Sequence, residues 1–74
     1  MATRKSYWVQ YLQQRWAVRH EGVSLSTHVV KSAAVDAGVK VAQANAPSEL
    51  TICRVDGTIE DRRTYGDDPY PPRG

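Results

Sequence analysis

Residues 7–20 are Tyr-Trp-Val-Gln-Tyr-Leu-Gln-Gln-Arg-Trp-Ala-Val-Arg-His. This stretch is rich in aromatic and β-branched residues and holds neither Gly nor Pro, a strand composition. If Gln13 and Gln14 form a two-residue turn, Tyr11 faces Trp16, Val9 faces Val18 and Tyr7 faces His20. These six side chains then share one side of a hairpin and make its natural core face. Trp8, Gln10, Leu12, Arg15, Ala17 and Arg19 fall on the other side. Gln-Gln is a poor turn of this kind, since two-residue hairpins favour Asn-Gly or Asp-Gly, and a wider loop would break these pairings.

Around this hairpin the chain is short. Its 74 residues bound it to one small domain. It holds 3 Leu, 2 Ile and 9 Val and no Phe, a thin aliphatic supply that two Trp and four Tyr augment. Each aromatic buries roughly 150–250 Å². A net charge of only +2 argues against disorder, which needs few apolar residues together with high net charge. No apolar run approaches the ~20 residues of a spanning helix, and no signal-peptide pattern follows the basic start. One cysteine excludes an intrachain disulfide and a Cys-rich zinc site. The charge is unevenly placed: Arg4, Lys5, Arg15 and Arg19 share residues 1–20 with no acid, whereas residues 21–74 hold the 8 acidic residues and the other basic ones. Such a segment can focus an attractive field or merely solubilise.

Downstream, Gly22 ends the second strand. Val23, Leu25, Thr27 and Val29 alternate with polar neighbours and leave a short third strand open across Val23–Val29. A helix follows, with Ala34, Val35, Gly38, Val39, Val41, Ala42 and Ala46 on one arc and Asp36, Lys40 and Gln43 opposite. Thr27 and Ser32 are the nearest capping residues, and neither sits ideally. Pro47 stops the helix and Asn45 can close its last turn. The small apolar face suits Trp16 and Tyr11 opposite. Leu50 to Tyr65 reads as a second hairpin turning at Asp56-Gly57. A two-residue turn there sets Arg54 against Ile59 and Ile52 against Asp61, with Ile59 sharing the core face of Leu50 and Ile52. The expected architecture is α+β: a small antiparallel sheet of three to five strands with one helix packed on one face, in the order β-β-(β)-α-β-β. The domain spans 1–65, with 1–6 a basic N-terminal segment, and 66–74 is a Pro-rich tail.

Trp16-Ala17-Val18, the Ala-rich helix, Val55-Asp56-Gly57-Thr58-Ile59 and the ending Tyr65-Gly66-Asp67-Asp68-Pro69-Tyr70-Pro71-Pro72-Arg73-Gly74 resemble a bacterial family. It is the uncharacterised domain-of-unknown-function family numbered 2188. The likeness runs from Tyr7 over nearly the whole chain. Asp67 stands where members often have Asn, Val23–Val30 is shorter than usual, and the helix lacks the family's Asp-Thr lead-in. The resemblance implies a small, soluble α+β domain of bacterial or phage origin and supplies no activity, cofactor or catalytic residue.

Direct chemistry finds little support. Cys53 with His20 or His28 as base would need side chains within about 2.6–3.2 Å and an orienting group. A mid-strand thiol is ordinarily inert. Two histidines on different elements without a second Cys do not predict a metal site. Asp67 and Asp68 read as turn formers beside Pro69, and Gly57 and Gly66 as isolated turn glycines. The expectation is a non-enzymatic, cytoplasmic binding module without metal, cofactor, small-molecule substrate or membrane. Asp68-Pro69-Tyr70-Pro71-Pro72 is the kind of extended segment that docks on aromatic surfaces. The competing reading, and the favoured one, folds Tyr65 and Tyr70 back onto the domain's own Trp or helix.

The first hairpin's open side supplies the candidate binding surface: Trp8, Gln10, Leu12, Arg15 and Arg19, with Arg4 and Lys5 upstream. Rings stack bases and arginines neutralise phosphates, which fits nucleic acid. Trp and Arg also anchor protein interfaces, and a chain this short gains from covering the face with a second copy. Protein contact, with another copy or a host or phage partner, is preferred. Trp8 is the only aromatic on the basic side, and Glu60 and the aspartates of the second hairpin oppose a phosphate track.

Overall fold

The computed structural model describes residues 4–66. Five strands and one helix follow in the order β1 (Lys5–Leu12), β2 (Arg15–His20), β3 (Val23–His28), α1 (Lys31–Ala44), β4 (Ser48–Cys53) and β5 (Ile59–Tyr65). They form one sheet of order β3-β2-β1-β4-β5. The fold is α+β with a single helix on a single face, and the third strand forms.

The first hairpin adopts the register read from its alternation, with Tyr7 opposite His20, Val9 opposite Val18 and Tyr11 opposite Trp16. Gln13 and Gln14 make the two-residue turn, at φ 53° and 65°. Positive φ at both positions is the type I′ pattern, whose twist matches that of the flanking strands. Glu21 and Gly22 repeat it between β2 and β3, at φ 52° and 81°. The Tyr7 ring stacks on His20 with centroids 4.4 Å apart, and Tyr11 tilts against Trp16 at 4.9 Å.

The sheet is mixed rather than purely antiparallel, because β1 and β4 run parallel, with Tyr7 opposite Leu50 and Val9 opposite Ile52. The helix is the reason. A connection through 14 residues of helix carries the chain back roughly 21 Å. It therefore returns to the end of the sheet where β3 began, and β4 starts in the same direction as β3 and β1.

The helix buries Ala34, Gly38 and Ala42, spaced four apart, against Val9, Val18, Leu50 and Ile52. At Gly38 the helix lies close over Val9 and Leu50, since a Cβ added there would lie 3.1 Å from a methyl of each, while Trp16 joins the same core and Tyr11 packs against it. No side chain caps its start. Val30 is the N-cap residue, extended and without a capping bond, so neither Thr27 nor Ser32 has that role. Lys31 opens the helix and lies 5.2 Å from the Trp16 ring centroid while pairing with Glu60. At the other end the Asn45 side-chain amide donates to Val41 O at 2.8 Å, as expected of that residue. The helix ends there, leaving Ala46 beyond it and exposed, before a cis Ala46-Pro47 bond. Buried Ser48 donates to Ala42 O and ties β4 to the last turn.

The second hairpin departs from the expected turn. Arg54 N donates to Thr58 O and Gly57 N to Arg54 O, which closes a three-residue loop of Val55, Asp56 and Gly57. Asp56 explains the choice, since its carboxylate accepts from the Thr58 amide at 3.0 Å and the Thr58 hydroxyl at 2.7 Å. Gly57 supplies the left-handed residue, φ 92°, that such loops need. Cys53 therefore faces Ile59, and the register then shifts so that Ile52 faces Asp61. Glu60 is the extra residue of this bulge. The pairing of Ile52 with Asp61 is as expected, but Arg54 does not face Ile59. Nor does Ile59 join Leu50 and Ile52: it lies on the side of Cys53 and is 46% exposed.

Candidate interaction surface

The side of the sheet away from the helix carries no element of the described chain. Strand alternation and the register assign its side chains. From β3 come Ser24 and Thr27; from β2, Arg15, Ala17 and Arg19; from β1, Ser6, Trp8, Gln10 and Leu12; from β4, Glu49, Thr51 and Cys53; from β5, the exposed Ile59 with Arg62 and Thr64. Trp8 sits near the middle, between Arg19 and Thr51 in register, and is half-buried. The short side chains Ala17, Thr51 and Cys53 are buried beneath the longer ones around them. Leu12 is exposed at the hairpin tip beside exposed Arg15.

Two depressions indent this face. One of about 350 Å³ is bounded by Ser6, Trp8, Gln10, Arg19 and Glu21. The other, about 680 Å³, lies between Leu12, Arg15, Ala17, Arg19, Ser24 and Thr27. Arg19 borders both. Its Nη2 donates to Gly22 O at 2.7 Å, which fixes the guanidinium against the β2–β3 turn, while its Nε is buried without a partner among the described residues. The far half of the face is electrically quieter, since Arg62 Nε pairs with Glu49 at 3.0 Å.

Five of the residues expected at a binding surface, Trp8, Gln10, Leu12, Arg15 and Arg19, are thus brought together on one face. Arg4 precedes β1 and is exposed. Lys5 is opposite Ser48 and shares the helix side with Tyr7, so it does not extend this cluster. Tyr65 is opposite Ser48 and packs half-buried against the core, whereas Asp68, Pro69, Tyr70, Pro71 and Pro72 lie outside the described residues.

The nucleophile and its bases are kept apart. Cys53 is buried, and that burial pushes its thiol pKa up, with the Lys31 charge only partly opposing. In the strand order it stands two strands from His20 and three from His28. At ~4.8 Å per strand those are roughly 10 and 14 Å, beyond hydrogen-bond reach. His20 Nδ1 instead bonds Ser6 O at 2.8 Å, and His28 Nε2 bonds Ser26 Oγ at 3.0 Å. Among the described residues no group of three or more His, Cys, Asp or Glu is placed to hold a metal ion. No helix there is long and apolar enough to cross a membrane.

Residues 7–65 match a family described as an uncharacterized protein conserved in bacteria, DUF2188. The chain belongs to this family. The DUF2188 match begins at the Tyr7 of the first hairpin and ends at Tyr65, so it spans the helix and every strand but the first two residues of β1. No curated protein and no solved structure matches the chain.

Proposed function

We propose that this DUF2188 domain is a small non-enzymatic binding module that acts by protein–protein contact through its open sheet face, with a host or phage protein or another copy as partner. One observation carries the reading: the helix covers one side of the sheet, and the uncovered side gathers Trp8 and Leu12 with Arg15 and Arg19. A half-buried Trp flanked by Arg is the composition of an interface anchor. A two-layer domain with one helix leaves its other sheet face to be covered from outside. Affinity capture with wild type, Trp8→Asp and Leu12→Asp tests it. The expected result is a protein retained by wild type and lost with both variants, each keeping its circular dichroism; retention by all three defeats the reading.

Nucleic acid is the alternative reading, favoured by the two arginines that border the larger depression beside Trp8. It requires binding of a fluorescent oligonucleotide at low salt, with Arg15→Ala and Arg19→Ala each reducing the salt slope by about 1. The Glu49–Arg62 pair on the same face speaks against an extended phosphate track.

A further inference from the structure

The two edges of the sheet differ in chemistry. Strand β5 carries Glu60, Asp61, Arg62 and Arg63, the charged blunting that keeps an edge from pairing with other chains. Strand β3, Val-Ser-Leu-Ser-Thr-His, has no Lys, Arg, Asp, Glu or Pro. Its outer row of backbone groups has no strand partner in the described chain. Val23, Leu25, Val29 and Val30, four of the seven exposed large apolar side chains among the described residues, lie on it or just after it.

The pattern along β3 is also symmetric about its own centre. Val18 faces Ser26 and Arg19 faces Ser24, so Leu25 is the extra residue of a bulge. Without the bulge, Val23 and His28 would point to opposite sides. With it, Val23 (opposite His20) and His28 (opposite Trp16) both share the helix side, and Ser24 and Thr27 both share the open side. Antiparallel partners must lie on the same side of a sheet. A second β3, turned end for end, meets that condition: Val23 of one copy faces His28 of the other, and Ser24 faces Thr27. Every such pair is free of like charges.

We propose that β3 pairs antiparallel with β3 of a second copy about a two-fold axis, joining the two sheets edge to edge. Such an interface is closed and self-complementary, whereas pairing β3 with the charged β5 edge would propagate without closing. Val29 and Val30, which follow the strand, add apolar area beside the seam. The dimer sets the two open faces side by side, with Arg15 and Arg19 of each copy one strand away from the axis. This assembly is independent of Trp8, so it stands or falls separately from contact through the open face.

Sedimentation and amide hydrogen exchange test it on the whole chain. Wild type is expected at twice the chain mass of 8.3 kDa, with β3 amides more slowly exchanging than β5 amides and faster on dilution. Leu25→Lys and Thr27→Lys, both at exposed positions, are each expected to give a folded monomer, and Trp8→Asp to remain a dimer. A wild-type monomer at high micromolar concentration overturns the proposal, whether or not another protein occupies the edge. So does a dimer that survives both lysine variants or is lost with Trp8→Asp. Should a lysine variant fail to fold, the concentration dependence of β3 exchange in wild type decides alone.

Discussion

Gly38 is the point at which a single side chain would decide how closely helix and sheet approach. Alanine there would gain about 1 kcal/mol of helix propensity. It would also press on Val9 and Leu50, both fully buried and each 3.1 Å from the new Cβ. Valine adds two further methyl groups at this already close contact. Gly38→Val is expected to destabilise by about 1–3 kcal/mol, read as a lower denaturant midpoint at unchanged slope; an unchanged midpoint would show that the helix simply slides. Asp56 is a different case. Its bonds from the Thr58 amide and then the Thr58 hydroxyl hold its carboxyl pKa below the ordinary value, with the Arg54 charge adding to this. A lowered folded-state pKa contributes stability above the ordinary aspartate pKa of about 3.9, lost as pH falls through the lowered folded value. Asp56→Asn should therefore show a shallower loss of stability than wild type across that acid range, in urea titrations at successive pH values. An identical acid profile would remove Asp56 from the account of the loop.

At the scale of the element, the turns set the registers, and they do so under different degrees of strain. Gln13 and Gln14 both sit at positive φ, where side chains with a Cβ are disfavoured. Replacing them by Asn-Gly keeps the turn type and removes that cost, for an expected gain of about 1 kcal/mol. A raised thermal midpoint checks it, and no gain would mean that the glutamine side chains compensate locally. The first hairpin was legible in the sequence because fourteen residues without Gly or Pro alternate consistently, so a turn at Gln13-Gln14 sets Tyr7, Val9 and Tyr11 opposite His20, Val18 and Trp16 on one face. The third strand was half legible, since the Glu21-Gly22 turn resembles the favoured pairs without being one of them. Asp56-Gly57 misled because the dipeptide serves two- and three-residue loops alike, and the Asp56–Thr58 bonds make the choice. The bulges at Leu25 and Glu60 left no mark in the alternation, being adjustments of an edge strand to its neighbour. Trp8, Leu12, Arg15 and Arg19 were legible as a cluster because they follow from the first register alone; Lys5 was not, since its side depends on where β1 begins.

At the scale of the whole molecule, topology distributes stability unequally. Strand β1 is central, paired with β2 on one side and β4 on the other, and it joins the three strands before the helix to the two after it. The β1–β4 pairing brings together residues some forty positions apart, and its parallel direction follows from the helical crossover, which strand alternation alone, pointing to an antiparallel sheet, does not convey. Val9 and Leu50, fully buried at this junction, can leave the core only when helix and sheet separate. Ile59 to Thr64, by contrast, are exposed along an edge. Local opening should release β5 without disturbing β1, because exchange follows the smallest unfolding event that frees an amide. The expected hydrogen-exchange profile has Val9 and Leu50 amides at the global unfolding free energy and those of Glu60 to Arg63 well below it. Leu50→Ala, expected to cost about 2–5 kcal/mol, should lower the protection of Val9 by its full effect and that of Arg62 by much less. Equal losses in β1 and β5 would instead mean that the edge unfolds only with the core. That outcome would tie the edge strand β5 to the core more firmly than the exposure of its side chains implies.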